Sequence, residues 1–470
     1  MQEEAESGRR TNLWKCVDDE NKEDPPLTHS IGALIGGTHR QMLYYDRLSI
    51  IVSQEIDIED DPDPLIAMLI GLHRLTLEKH GIHSIEHRDN TATLFEGRKL
   101  TLKKADGNPV ALTLGKIIFR QPGIIGRDTC FVEATAEDCG EWKGMETIVK
   151  ISWQAKSRPS EKDFMDDVKN AVDELPKDGT SHQWVFDHLP NILLSQDFEM
   201  AEDSPQARLK AYFDTASYAD GDSFEYEERV CRIMVQEKLY SITSLREPRQ
   251  YTQGIFDILQ IHRWVYDHAR IIHRDISMMN LMWRRRNGVI YGVLNDFDLS
   301  SYCDYKSASA LRRTTRPYYA CDLLKTDPPV HISSSSFYLP FESWYDMTYP
   351  ELYDKTYNFF IDSTKNPDTL LPVSVSFSNF QSWLTLCFGL ISADFFAENA
   401  YHRSKPQSLF TQFLSSRPSG SVGTPLKEFD NATLGGFVDY SAFFQVMCKF
   451  ADQDLVVKYD PDGEPTQHQS

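Results

Sequence analysis

At 470 residues, with 41% apolar and 12% aromatic side chains, the chain is long enough for a real core and for two or three domains. A formal charge of −21 argues against nucleic acid or an anionic membrane as the main partner, because both demand Lys/Arg surfaces. The eight cysteines show no CxxC pair and no metal spacing, the first residues are polar, and no apolar run reaches the ~18–20 residues of a membrane span; reduced thiols in an intracellular compartment, cytoplasmic or nuclear, fit best.

Residues 1–25 are charged, poor in apolar groups, and read as a disordered tail. An apolar, β-branched run follows from Arg47 to Ile56, and Pro62 and Pro64 stop an acidic turn at 59–63. Leu65, Met68, Leu69, Leu72 and Leu75 recur at helical spacing and predict a helix over 65–78 whose stripe packs into a core. Leu100 and Leu102, then Val110, Leu112 and Leu114, flank the turn residues 105–109 and predict a hairpin. Gly123 and Gly126 then lead into a strand. Such a turn suits a loop that covers phosphates, where backbone N–H groups must come close, and it equally suits an ordinary strand turn.

Thr147–Trp153 is a β-branched run around Lys150, in the manner of a strand lysine that contacts α- and β-phosphates. The helix predicted over 159–175 offers Glu161, Asp163, Asp166 and Asp167. Glu161 is the favoured partner of Lys150, with Asp163 and Asp166 as rivals. Residues 196–227 are acidic, contain Ser, Pro and Gly, and read as a loop insertion. Arg232–Val235 reads as a buried strand running into a hinge near 235–239. An adenine would bond to backbone groups there, about Val235, in a register left open.

Between 250 and 269, Ile255, Ile258, Leu259, His262, Val265 and Tyr266 share one helical face. His262 and His268 stand apart from any carboxylate or cysteine cluster and read as structural. The next loop holds the densest chemistry. His273-Arg274-Asp275 is followed by Asn280, an apolar run, a basic turn, and Val293-Leu294-Asn295-Asp296-Phe297-Asp298. An Asp, an Asn five positions on, and an Asp-Phe pair after a strand form the acidic set of a phosphoryl-transfer site. Such transfer requires an acceptor hydroxyl held in line and metal ions to neutralise phosphate charge. Asp275 would take the hydroxyl proton. Asn280 and Asp296 would hold Mg²⁺, which prefers hard oxygen ligands. A second tripeptide, His87-Arg88-Asp89, has Leu94 at the offset of the Asn and reads as a solvated loop.

Residues 300–322 are polar and basic and stand where an activation segment would lie. Arg274 would pair there with a phosphate on Ser307, Ser309, Thr314 or Thr315. Aromatic-rich runs at 338–360 and 377–401 read as buried helices, 406–425 as a loop, 437–450 as a last amphipathic stretch, and the residues after Tyr459 as a disordered tail.

Taken together, the chain resembles the fungal-type protein kinase family. The resemblance rests on Gly126-Arg127-Asp128-Thr129, Val149-Lys150-Ile151-Ser152-Trp153, His273-Arg274-Asp275-Ile276-Ser277 with Asn280, Leu294-Asn295-Asp296-Phe297-Asp298-Leu299, and Thr315-Arg316-Pro317-Tyr318-Tyr319-Ala320. It covers residues 45–455 and implies an α+β, two-lobed protein-kinase-like fold. That fold would comprise an N-terminal α/β extension at 26–120, a small β-rich N-lobe at 121–238 with the acidic insertion 196–227, and a larger helical C-lobe at 239–455, with tails at 1–25 and 456–470. ATP and Mg²⁺ would be its cofactors and Ser/Thr hydroxyls of a protein its substrate. Lys150, Asp275 and Asn280 would carry catalysis, and Gly123, Gly126, Lys150, Glu161, Val235 and Asp296 would hold the nucleotide. Two alternatives stay open: a kinase fold kept as a binding scaffold, and a small-molecule phosphotransferase, which Ser277 two positions after Asp275 would suit. The chain departs from the family at three places. Asp128 replaces a glycine, and its carboxylate would repel bound phosphates. Thr314 replaces a glycine before Thr315. Pro340 replaces the Asp expected to anchor the catalytic loop.

Overall fold

The computed structural model describes residues 29–36, 39–47, 50–74, 96–121, 126–136, 142, 145–176, 182–199, 204–215, 227–303, 351, 354–355, 358, 381–387, 389–390 and 440–460. Helices and strands are mixed throughout, and no helix among these residues is long and apolar enough to cross a membrane. Among the described residues, Cys130, Cys231, Cys303, Cys387 and Cys448 form no disulfide. The chain divides into two compact units, Met1–Asp163 with Asn191–Lys238 and Phe164–Pro190 with Leu239–Ser470.

The first unit is built on two antiparallel sheets. In the smaller, β2 (His39–Asp46) pairs with β1 (His29–Gly36), β3 (Ile50–Val52) and β4 (Ile56–Asp57). The larger runs in the order β5 (Lys99–Lys103), β6 (Pro109–Arg120), β7 (Cys130–Ala136), β8 (Thr147–Ala155), β10 (Arg229–Glu237), β9 (Ile192–Phe198). The hairpin at 105–109 forms with Leu100 opposite Leu112 and Leu102 opposite Val110, so both apolar sets share one face. These strands, placed by sequence in an extension, are hydrogen-bonded members of the larger sheet, because the alternating face of β6 needs β7 to cover its other edge. β8 and β10 are central and buried along most of their length, which is why they read as continuous apolar runs.

Two expectations fail here. The helix predicted over 65–78 appears as α1 (Asp63–His73), but none of its residues is buried; Ile66, Leu69 and Ile70 are exposed on it. Periodicity gives the helix and says nothing of its cover. The acidic stretch read as a loop insertion begins inside β9 and also holds a helix over Pro205–Thr215. There Asp197 carries a paired charge, bound twice by Arg232 at 2.8 Å, so the polarity that signalled a loop is that of an edge strand.

In the second unit a helix over Pro248–Trp264 is buried from Gly254 to Ile261 on nearly all sides. It crosses the strand β14 (Val289–Leu294) backbone to backbone: a Cβ at Gly292 would lie 2.0 Å from the Gly254 carbonyl oxygen. β14 forms a hairpin with β13 (Leu281–Arg286) through Asn287-Gly288, both left-handed at φ 49° and 82°, the geometry of a type I′ turn. The stretch expected to be a tail from 456 is instead strapped to the long helix up to Tyr459. Gln253 and Val456 exchange two hydrogen bonds, and Gln260 Oε1 accepts from the backbone N–H groups of Lys458 and Tyr459. Lys458 Nζ then reaches buried His188 Nε2 at 2.9 Å, while His188 Nδ1 donates to the Gly292 carbonyl at 2.6 Å.

Candidate active site

In the first unit, Lys150 sits mid-strand in β8, opposite Phe131 and Met234. Its side chain is 2% exposed, and its ammonium lies 2.6 Å from Glu161 Oε1 and 5.5 Å from the Phe131 ring. An ammonium buried so deeply would be strongly disfavoured without a counter-charge. Glu161 opens a helix over Glu161–Glu174, whose start is fixed by a reciprocal cap: Asp163 Oδ2 accepts from Ser160 N at 2.7 Å, and Ser160 Oγ accepts from Asp163 N at 3.1 Å. The carboxylates that sequence left as rivals thus have separate tasks: Glu161 meets Lys150 and Asp163 caps the helix. Farther along, in the second unit, Asp167 accepts from the Tyr302 hydroxyl.

The glycine turn is described from Gly126 onward; Gly123 lies outside the described residues. Gly126 takes φ +109°, a conformation that side-chain-bearing residues rarely adopt. Its N–H donates to the Arg47 carbonyl at 2.8 Å. Asp128, also left-handed at φ 42°, is buried, and its Oδ2 lies 2.6 Å from Arg47 Nη2 while Oδ1 lies 3.5 Å from Arg120 Nε. The expected repulsion toward phosphates is therefore overturned: this carboxylate is turned onto two guanidiniums. Burial pushes the Asp128 carboxyl up, against the pull of both arginines.

The stretch read as a hinge, 235–239, begins inside the sheet. Val235 is fully buried and pairs with Val149 on one side and Leu194 on the other, so its backbone lies mid-sheet. Glu237 N and Lys238 N are engaged by the carbonyls of Asn191 and Glu146, and the strand ends there.

In the second unit, the β13–β14 hairpin explains how residues 16 positions apart meet. Leu281 pairs with Leu294, so Asn280 and Asn295 leave the hairpin side by side, and Asn295 N donates to Asn280 O at 3.0 Å. Asp296 follows at once, held left-handed at φ 64°. Asn280 Nδ2 donates to the carbonyl of Asp275 at 2.9 Å and to its Oδ2 at 3.0 Å. The hairpin and this side chain together bring Asp275, Asn280 and Asp296 into one cluster.

His273 anchors the loop from below. Its Nδ1 accepts from Asp275 N at 3.3 Å, so Nε2 carries the proton and donates to Asn295 O at 3.0 Å. The Phe297 ring packs edge-on against it at 4.6 Å. Sequence reading gave His273 only a place in a motif; its work is to tie the loop to the strand that ends at Asn295. Arg274 is left-handed at φ 68°, a conformation that costs roughly 1–2 kcal/mol in a non-glycine residue and here directly precedes Asp275. Ser277 Oγ is buried and makes no hydrogen bond among the described residues. Ser307, Ser309, Thr314, Thr315 and Pro340 lie outside the described residues, as does the second tripeptide at 87–89.

The donor set suits a hard cation. Asn280 uses its amide hydrogens on Asp275, which leaves its Oδ1 as the ligand atom, and Asp296 follows the residue whose N–H donates to the Asn280 carbonyl. Arg47 and Arg120, the partners of Asp128, are the neighbours of the glycine turn that sequence reading missed; the sole signal was an Asp standing where a glycine was expected. Among curated proteins none matches the chain. Residues 1–341 match the family model of fungal protein kinases, and Gly126, Lys150, Glu161, Asp275, Asn280 and Asp296 all fall within the match. With that span well over half of the sequence, the chain belongs to the fungal protein kinase family.

Proposed function

We propose that the chain transfers the γ-phosphoryl group of ATP to Ser/Thr hydroxyls of protein substrates, with Mg²⁺ as the metal. The observation that carries this reading is the double hydrogen bond from Asn280 to Asp275, made at the open end of a hairpin whose other strand delivers Asp296. A general base must be aimed, and Asn280 holds Asp275 through both its backbone and Oδ2. Oδ1 is then the atom to accept the proton of the incoming hydroxyl. Asn280 and Asp296 would hold Mg²⁺, which when bound supplies neutralisation of phosphate charge. Lys150, kept in place by Glu161, would bind α- and β-phosphate oxygens, and the glycine turn that ends at Gly126 would cover them. Adenine would bond to backbone groups just past Lys238, where the strand has ended.

On this reading residues 121–238 form the N-lobe, joined by the strands at 99–120, and 239–455 form the C-lobe. Arg274 and the segment holding Ser307, Ser309, Thr314 and Thr315 would serve regulation by phosphorylation. An intracellular setting belongs to the same reading, since ATP and reduced thiols are found together there.

The test is ATP affinity with and without Mg²⁺, alongside transfer to Ser-, Thr- and Tyr-containing peptides. Asp275→Ala should keep ATP affinity and lose about 10²–10⁴ in rate. Asp296→Ala should lose the Mg²⁺-dependent part of the affinity as well. Nucleotide binding abolished by Asp275→Ala, or neither substitution having an effect, would overturn the assignment; the second result would leave a binding scaffold.

A further inference from the structure

The turn at Gly126 is held by a residue 79 positions earlier in the chain. Arg47 follows directly on β2, in the sheet that precedes the long one. It grips the turn twice. Its backbone carbonyl accepts from Gly126 N at 2.8 Å, and its guanidinium meets Asp128 Oδ2 at 2.6 Å. The guanidinium also lies 5.9 Å from the Trp153 ring, and Trp153 N donates to the Arg127 carbonyl at 2.7 Å. Gln121 N donates to the Thr129 carbonyl at 2.8 Å. Arg120 adds a second positive charge to Asp128.

A loop that covers phosphates must offer its backbone N–H groups at fixed positions. Glycines allow that approach, but they also leave the loop with many other conformations. In this chain a buried ion pair takes up that freedom. Asp tolerates the left-handed backbone that position 128 requires better than most residues do. Its carboxylate then gives Arg47 something to hold. A bidentate-capable guanidinium is the right partner, because its donors form a rigid fork that fixes orientation as well as distance.

We propose that Arg47 is a positioning residue for the nucleotide: by gripping Gly126 and Asp128 it presets the end of the glycine turn at 126–129, so the segment before the long sheet is part of the nucleotide site. This rests on the ATP reading above. The test compares wild type, Arg47→Met, Arg47→Lys and Lys150→Met as full chains, by amide hydrogen exchange over 121–129 without nucleotide and by KM for ATP and kcat. Arg47→Met should speed exchange in that peptide about tenfold, leave the central strands protected, and raise the KM for ATP about tenfold while kcat at saturating ATP changes less. Arg47→Lys, which keeps the charge and loses the fork, should fall between. The double variant Arg47→Met with Asp128→Gly should recover part of the affinity, since it removes the orphaned carboxylate. A variant that only weakens folding would lower the amount of active protein at unchanged KM.

Faster exchange at unchanged KM, with Lys150→Met still raising KM, would overturn the inference and leave the ATP reading standing. Unchanged exchange in Arg47→Met would overturn it too. A wild type that takes up no nucleotide would overturn both.

Discussion

The two units hold their candidate residues by opposite kinds of force. In the first unit the site residues are held by buried charge pairs, Lys150 with Glu161 and Arg47 with Asp128. In the second unit the loop from His273 to Asn280 is held by a neutral histidine, an amide side chain and a hairpin. Buried charges give exact partners but leave an expensive orphan when one is lost. Neutral hydrogen bonds on a close-packed frame fail instead through displacement. The units should therefore respond to different insults.

The largest effect on stability should come from breaking a charge pair. Glu161→Gln leaves the Lys150 ammonium buried without its counter-charge and should cost about 3–5 kcal/mol, read from urea unfolding. Lys150→Met should destabilise by a similar route, contrary to what an exposed strand lysine would do. The double variant Lys150→Met with Glu161→Gln should be more stable than either single one; simple addition of the two losses would deny that the pair is coupled.

Next in size is a break in the frame of the second unit. Gly292→Ala puts a methyl group 2.0 Å from the Gly254 carbonyl oxygen and forces helix and strand apart. It should cost about 1–3 kcal/mol and lower the rate of transfer more than the KM for ATP, since the strand leads to Asp296. Wild-type stability in Gly292→Ala would mean that helix and strand do not meet there.

The smallest effect is a pH dependence that sharpens the contrast. Burial pushes His188 and His262 down to about 3, so both stay neutral in the folded chain. Unfolded, they take up protons near their ordinary value, so between about pH 3 and 6.5 the unfolded chain binds more protons and stability falls on acidification. Asp257, pushed up to about 6 by burial, works the other way: between about pH 4 and 6 the folded chain holds its proton. Two histidines against one carboxyl leave a net of about one proton, or about 2 kcal/mol lost from pH 7 to pH 5. Asp257→Asn should steepen this slope. A flat profile in urea midpoints from pH 5 to 7 would show that the histidines are not held neutral.

What was legible in the sequence was local. Lys150 stood out because a charge in a β-branched run is anomalous, and Asp275, Asn280 and Asp296 because one hairpin separates them. Glu161 was readable as one of four carboxylates at a helix start, and only the cap formed by Ser160 and Asp163 separates their tasks. Long-range pairs left no such trace. Arg47 and Asp128 are 81 residues apart, and nothing near either names the other. The strands at 99–120 read correctly as a hairpin, yet which sheet they join depends on β7, which their own alternation does not specify. The strap at 456–459 read as tail, because the partners that hold it, Gln253, Gln260 and His188, lie 198 to 270 residues earlier, and most of the bonds are made by backbone N–H groups that leave no mark in the sequence.

That strap has a consequence for biosynthesis. Lys458 meets His188 across 270 residues of chain. At synthesis rates of about 5–20 residues per second, His188 leaves the ribosome roughly 14–54 s before its partner exists. The described sheets of the first unit are complete by Glu237, so that unit has every strand it needs while the second still waits. Until residue 459 emerges, the Oε1 atoms of Gln253 and Gln260 on the long helix lack the backbone N–H groups that they accept from in the folded chain. The second unit is thus the part of the nascent chain with the longest exposure to misfolding, and its last stretch acts as the latch that ends it.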